Sequence, residues 1–358
     1  MNIAIFGLSI SSSWGNGHAT IWRGLCKGLC GRGHRVTFFE KDVPYYAQSR
    51  DYAGIEGVEL VLYQTWDTIA RKAENALSQA DVAIVTSYCP DAIAASEMIV
   101  NREDILKCFY DLDAPVTLTR LENGENVEYI PQRGLRDFDL VLSWTGGETI
   151  NKLKSELGAQ EVWPLYGCVD PDIHRPVEPK IVYNCDLSYL GTYSPDRQDK
   201  VNELLVKTAR YAKDMRFIIG GSQYPNDFPW QDNIWYLSHV EPPQHPAFYC
   251  SSNFTLNITR RAMAEIGFCP QGRLFEAGAC GTAIISDYWE GLEQFYEPGE
   301  EIIICRTCEE VLDALSMTDS NRKRIAEAAR QRTLECHTAT RRAQELENIF
   351  DVYLLGVK

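Results

Sequence analysis

The segment GFCPQGRLFEAGACGTAIISDYWEGLEQFYEPGEEI carries the residue types and spacing that point most clearly to chemistry. Residues 270–272 predict a helix start with Gly272 at its mouth, and a helix N-terminus offers free amides to a diphosphate. Arg273 adds a guanidinium for phosphate oxygens, and Glu276, one turn in, can accept hydrogen bonds from ribose hydroxyls. Gly278 and Gly281 allow close approach of backbone or ligand. A carboxylate for a diol beside an arginine for phosphates is what a nucleotide-sugar requires. The alternative, an amphipathic helix with incidental charges, accounts poorly for so many small residues around one Arg and one Glu.

Other strand-end cations fall in the same half. Gly191 and Arg197 lie in YLGTYSPDRQ and Arg260 in LNITRRAM, each just after an apolar run. Strand-end arginines in a cleft suit phosphate oxygens, although one alone is more often a solvated charge. In the first half, SISSSWGNGHAT places Gly15 and Gly17 in a turn ahead of His18, an imidazole that can serve as general base or simply cap a helix. The turn does not match GxGxxG, so a dinucleotide fingerprint is disfavoured, although Glu40 stands where a ribose ligand is expected in such proteins. In CFYDLDAPVTL, Asp111 and Asp113 flank one residue of a segment expected to stay extended before Pro115, so both carboxylates would face one side and orient an acceptor hydroxyl or a sugar. Their plain alternative is strand-end turn acids.

Short apolar runs alternating with amphipathic stretches must position these residues, a pattern that builds parallel sheets. Strands are expected at residues 3–8, 36–40, 58–63, 82–86, 108–111 and 140–143, with helices at 19–32, 68–79 and 148–157. GCVDPDIHRPVEPK interrupts the series with three prolines, reading as a linker over 169–180. A second series follows, with strands at 187–190, 217–220, 234–237, 254–258, 283–286 and 302–305 and final helices at 321–336 and 340–354. The expected fold class is therefore α/β, with two Rossmann-like doubly wound domains, 1–168 and 181–338, facing a central cleft that holds the active site, and a last segment, 339–358, able to cross back to the first.

The net charge of −15 over 358 residues argues against duplex nucleic acid as a partner, because phosphate neutralisation needs a clustered basic face. Twelve irregularly spaced cysteines fit reduced thiols, and the lone CxxC pair, Cys305 and Cys308, lacks the second pair or histidines of a zinc site. The apolar N-terminus reads as a buried strand rather than a signal peptide, and no apolar run reaches membrane-spanning length, so a cytoplasmic protein is expected.

Four segments, DLDAPVT, DLSYLGTYSPDRQ, HPAFYCSSNFTLNITR and RLFEAGACGTAIISDYWEGLEQFYEPGEEI, resemble in order the CgeB-like, or spore-maturation-type, glycosyltransferases of the glycosyltransferase B fold. The resemblance implies a hexosyltransferase-type enzyme with a nucleotide-sugar donor, Glu276 at the donor ribose, and Arg197 and Arg273 near the phosphates. It also places His18 in a loop similar to the GxGH turn of inverting relatives, where the histidine is the base. Many retaining members carry a second glutamate eight residues before the ribose-binding one, and here that place is Phe268. No metal or cofactor is expected, since arginines and helix amides rather than a DxD-type cation site would neutralise the leaving diphosphate. A UDP-sugar is the default donor, and the acceptor, whether glycan, small molecule or macromolecule, is open. The competing readings are a nucleotide-sugar epimerase of the same fold, a non-catalytic nucleotide-sugar-binding protein and, more remotely, a dehydrogenase.

Overall fold

The computed structural model describes residues 1–14 and 17–356, and divides them into two compact units, residues 1–168 with 339–358, and residues 169–338. The expected linker, 169–180, is counted with the second unit: the Val169 amide donates to His337 O at 3.0 Å. Among the described residues no helix is long and apolar enough to cross a membrane.

The first unit runs β1 (Asn2–Gly7), α1 (Gly17–Gly31), β2 (Arg35–Lys41), α2 (Pro44–Ala47), β3 (Val58–Tyr63), α3 (Trp66–Leu77), β4 (Val82–Thr86), α4 (Ala92–Val100), β5 (Leu106–Asp111), α5 (Ala114–Glu122), β6 (Leu140–Ser143), α6 (Glu148–Leu157) and β7 (Val162–Pro164). All seven strands are parallel, in the order β3-β2-β1-β4-β5-β6-β7. Every residue of β4, VAIVT, is buried, as expected of a strand with helices on both faces. In α3, Ile69, Ala73 and Leu77 recur every four residues and form its buried stripe. The short edge strand β7 was not anticipated, since three residues carry too little pattern.

The second unit runs β8 (Cys185–Leu190), α7 (Gln198–Val201), a π turn (Asn202–Val206) continuing into α8 (Lys207–Tyr211), β9 (Phe217–Gly220), β10 (Ile234–Leu237), α9 (His245–Cys250), β11 (Ser252–Asn257), α10 (Arg261–Ile266), α11 (Gly272–Cys280), β12 (Ala283–Ser286), β13 (Ile303–Ile304), α12 (Cys308–Leu315) and α13 (Asp319–Cys336). Its parallel order, β10-β9-β8-β11-β12-β13, reverses direction between β8 and β11, as the first sheet does between β1 and β4. Such reversal points open a crevice at the strands' carboxyl ends, where doubly wound sheets bind ligands.

The last helix, α14 (Ala339–Leu354), packs on α1 of the first unit. Gly28 makes this possible: a Cβ there would lie 2.9 Å from both Ala339 O and the Ala343 Cβ. Glu347 then pairs with Arg32 and with His34 Nε2 at 3.1 Å.

Glu40, read from sequence as a potential ribose ligand, is instead wholly buried in β2 and spent on the loop that follows β1. It accepts from Ser9 Oγ (2.9 Å), Ile10 N (2.7 Å), Ser11 N (2.9 Å) and Ser11 Oγ (2.5 Å). A carboxylate with four donors has no capacity left for a ribose diol, which removes the main support for a dehydrogenase. Glu40→Ala would orphan these donors and is expected to lower stability by roughly 3 kcal/mol, read from urea denaturation midpoints at unchanged slope. A loss under ~0.5 kcal/mol would show that the loop does not depend on this carboxylate.

Candidate functional site

In the second unit, the crevice between the ends of β8 and β11 gathers most of the residues expected to hold a donor. Arg273 sits at the start of α11, whose cap residue Gln271 is locked by Asn257 Nδ2 and Thr259 Oγ1, each 3.1 Å from its Oε1. Arg273 Nη1 donates to Ile258 O at 3.2 Å, and its guanidinium lies 5.6 Å from the centre of the Tyr189 ring. Gly191 is required at this point. A Cβ there would come within 2.9 Å of Tyr189 Oη and 3.3 Å of Arg273 Nη2.

Arg197 is buried, and its Nη2 donates to Thr192 O at 2.5 Å, while Nε has no partner among the described residues. Burial and the nearby Arg273 charge both depress its pKa, outweighing the neighbouring tyrosines and Asp196. Among the described residues neither Arg197 nor Arg273 forms an ion pair. Two guanidiniums without an ion pair beside a glycine, with the buried Tyr189 hydroxyl also lacking a partner among the described residues, could hold a multiply charged anion. Arg260 does not join it: its side chain is 45 % exposed and its Nε donates to Asp196 Oδ2 at 3.0 Å.

Glu276 stands one turn along α11 from this cluster, with its Oε1 facing the open start of the helix at Gly272. Tyr249 Oη donates to its Oε2 at 3.2 Å, and His174 Nε2 lies 4.0 Å from the same oxygen. Burial works to raise its pKa, but His174, His245, the Tyr249 hydroxyl and Arg273 together hold it below the usual carboxylate value. The group is a charged acceptor at neutral pH. His174 was missed in sequence because it lies among the prolines read as a linker.

His174, His245 and Glu276 are the one group of possible metal ligands among the described residues, with one atom of each within 4.8 Å of the others. Phe268, at the place of the second glutamate of retaining relatives, takes a left-handed backbone (φ 47°) held by its amide to Glu290 O at 2.6 Å. Gly291 clears space for its ring.

The first unit gathers a second cluster where β1 and β4 diverge. His18, half-buried in the first turn of α1, has its ring centre 5.8 Å from that of Tyr88 and 6.5 Å from that of Trp144. Burial among these rings lowers its pKa to about 4, so the imidazole is neutral at pH 7. Tyr88 donates its hydroxyl to Asp113 Oδ2 at 2.9 Å and holds a positive φ of 63°, a strained backbone for a non-glycine residue, two positions beyond the end of β4. Neither Tyr88 nor Trp144 was picked out from sequence; the strand-end position of Tyr88 was the available signal.

Two readings of this half change. Gly15 lies outside the described residues, and Gly17 is an ordinary helical residue with open space around a would-be Cβ, so no close approach demands a glycine there. The Asp111–Asp113 segment does not stay extended: Asp113 occupies the N-cap position of α5 without a side-chain capping bond, and Pro115 lies in its first turn, where a missing amide hydrogen costs nothing. Asp111 is consequently fully buried, accepting from the Asp113 amide at 3.0 Å, with its pKa pushed up to about 6 by burial. Its Oδ2 is enclosed with no hydrogen-bond partner among the described residues, whereas Asp113 stays within one tyrosine of His18.

Comparisons with known proteins agree with this architecture. Residues 197–348 match the model of a family described as glycosyl transferase-like. No curated protein matches the sequence. Among solved structures, the chain is similar to sucrose-phosphate synthase from Thermosynechococcus elongatus (TM-score 0.70, 11 % identity, 100 % of both chains covered). It is also similar to HepE from Anabaena in complex with UDP and glucose (0.67, 12 %, 98 % of this chain and 99 % of that one). A third is an alpha-glucosyltransferase in complex with UDP-glucose and DNA containing an abasic site (0.68, 13 %, 98 % of each). Two parallel Rossmann-like sheets, the family match and these likenesses together establish that the chain has the glycosyltransferase B fold, glycosyl transferase-like in sequence over residues 197–348.

Proposed function

We propose that this chain is a metal-independent, CgeB-like glycosyltransferase that moves a hexosyl group from a nucleotide-sugar, a UDP-sugar in the first instance, to an acceptor hydroxyl. The observation that carries the reading is the convergence, at one reversal point, of two guanidiniums without ion-pair partners and a charged carboxylate one helical turn away. That is the charge pattern of a nucleoside diphosphate: anion, then diol. The acceptor oxygen attacks the anomeric carbon, its proton passes to His18, and the bond to the diphosphate breaks. Arg197, Arg273 and the α11 amides take up the charge left on that group, the work a cation does in other transferases. An inverting outcome follows from His18 as base and from Phe268 in place of a second acid. The chemistry needs no cofactor, and free thiols suit a cytoplasmic enzyme.

Glu276→Ala tests the donor site. It removes a charged acceptor without emptying a core position, so UDP affinity measured by calorimetry is expected to fall by roughly 1.5 to 3 kcal/mol in a variant that still folds, with some loss of melting temperature from the orphaned Tyr249 hydroxyl. Unaltered affinity in the folded variant would move the ribose elsewhere.

A further inference from the structure

His174 is 3 % exposed, and neither ring nitrogen has a hydrogen-bond partner among the described residues. A buried imidazole in that state is costly and calls for a ligand. Its Nε2 is aimed at Glu276 Oε2 across 4.0 Å, too long for a hydrogen bond. The width of that gap selects what fills it. An oxygen about 2.8 Å from both atoms subtends an angle of roughly 90° across the span, comfortable for a hydroxyl. A zinc ion bonded at about 2.0 Å to both would have to sit on the line joining them, far from a tetrahedral angle.

A hydroxyl also satisfies the polarity. Glu276 only accepts, an imidazole N–H donates, and a hydroxyl does both, so it can receive from His174 and give to Glu276. The other polar neighbours are already committed. Tyr249 Oη occupies Oε2 from a second direction at 3.2 Å, and His245 Nε2 donates to Val240 O at 3.1 Å. Oε1, facing the open helix start at Gly272, remains for a second hydroxyl.

We propose that His174 is a specificity-determining residue for the nucleotide: it bridges one hydroxyl of the ribose diol to Glu276, restricting the site to ribonucleoside diphosphates over deoxyribonucleoside diphosphates. This rests on the donor-site reading above. His174 thereby does with its N–H what a carboxylate cannot, donating to a hydroxyl already committed as a donor.

Calorimetry on the full chain with UDP, GDP, ADP, 2′-deoxy-UDP and 3′-deoxy-UDP tests it. Wild type is expected to bind UDP about tenfold or more tightly than each deoxy analogue. His174→Phe keeps ring volume but has no donor, and is expected to bring one of the two ratios close to one while leaving the other in place. His174→Met serves the same purpose should the phenylalanine variant not fold. A residue that merely orients Glu276 would weaken UDP and both analogues alike, so ratios unchanged in the folded variants overturn the proposal. So does a wild type without ribose preference, or stoichiometric Zn²⁺ binding that displaces UDP and disappears in His174→Phe. A wild type that binds none of UDP, GDP and ADP overturns the donor site as well, whereas tight UDP binding with unchanged ratios overturns the role of His174 alone.

Discussion

His18→Ala is expected to lower the transfer rate by about a hundredfold while leaving UDP affinity and the melting temperature close to wild type. The effect of removing a general base spans roughly a hundred- to ten-thousand-fold, and the low end applies here for a physical reason. Burial against Tyr88 and Trp144 lowers the pKa to about 4, so the proton acceptor is always available near neutrality but is weakly basic. The same depressed pKa makes a second readout. An unfolded chain takes up a proton on this histidine near its ordinary value of 6.5, whereas the folded chain resists until about 4. Stability linked to His18 is therefore complete above about pH 6.5 and is lost as pH falls toward 4. His18→Ala should flatten that part of the stability profile, and a variant that does so yet transfers sugar at the wild-type rate assigns the imidazole to structure only. Proton NMR of the product against the donor supplies the decisive check, because retained anomeric configuration removes the inverting role whatever the variant does.

Arg273→Ala and Arg197→Ala should each reduce kcat by roughly a hundred- to a thousandfold, the scale on which preorganised donors to a developing oxyanion act. The developing charge resides on the leaving diphosphate, so the loss should appear more in kcat than in KM for the donor. Arg273 is held by Ile258 O and by the face of Tyr189, and Arg197 by Thr192 O, so both guanidiniums are fixed before the donor arrives. Lysine should restore only part of the rate at either position, because it lacks the planar fork. The double variant should cost less than the product of the single ones, since the two charges act on one group. Steady-state kinetics with a saturating acceptor decide the matter, and wild-type rates in both single variants would place the phosphates elsewhere.

Much of this site was legible in the residues themselves, and the reasons for success and failure are local. The alternation of apolar runs with amphipathic stretches predicts both sheets because a parallel strand covered on two faces must be apolar throughout, as β4 is. RLFE at a helix start predicts Arg273 and Glu276 on one helix because helical periodicity is set by the backbone, without help from distant residues. Strand ends were equally readable in kind but not in engagement. Arg197 and Arg260 look alike in sequence, yet one is buried beside Arg273 and the other is neutralised by Asp196 at the surface.

What the sequence by itself determined was the fold class of the protein, two parallel-sheet Rossmann-like units, and the placing of Arg273 and Glu276 on one helix. What only the tertiary structure decided was the availability of each polar group. Glu40 is exhausted by four donors from a loop 29 to 31 residues away, and Asp111 is wholly buried. His174 was hidden because Glu276, whose Oε2 lies 4.0 Å from its Nε2, stands about a hundred residues further along the chain. Spacing along a chain records secondary structure, since hydrogen bonds over three or four residues enforce it. The satisfaction of buried donors and acceptors depends on contacts brought together by the whole sheet, and no short stretch of sequence contains them.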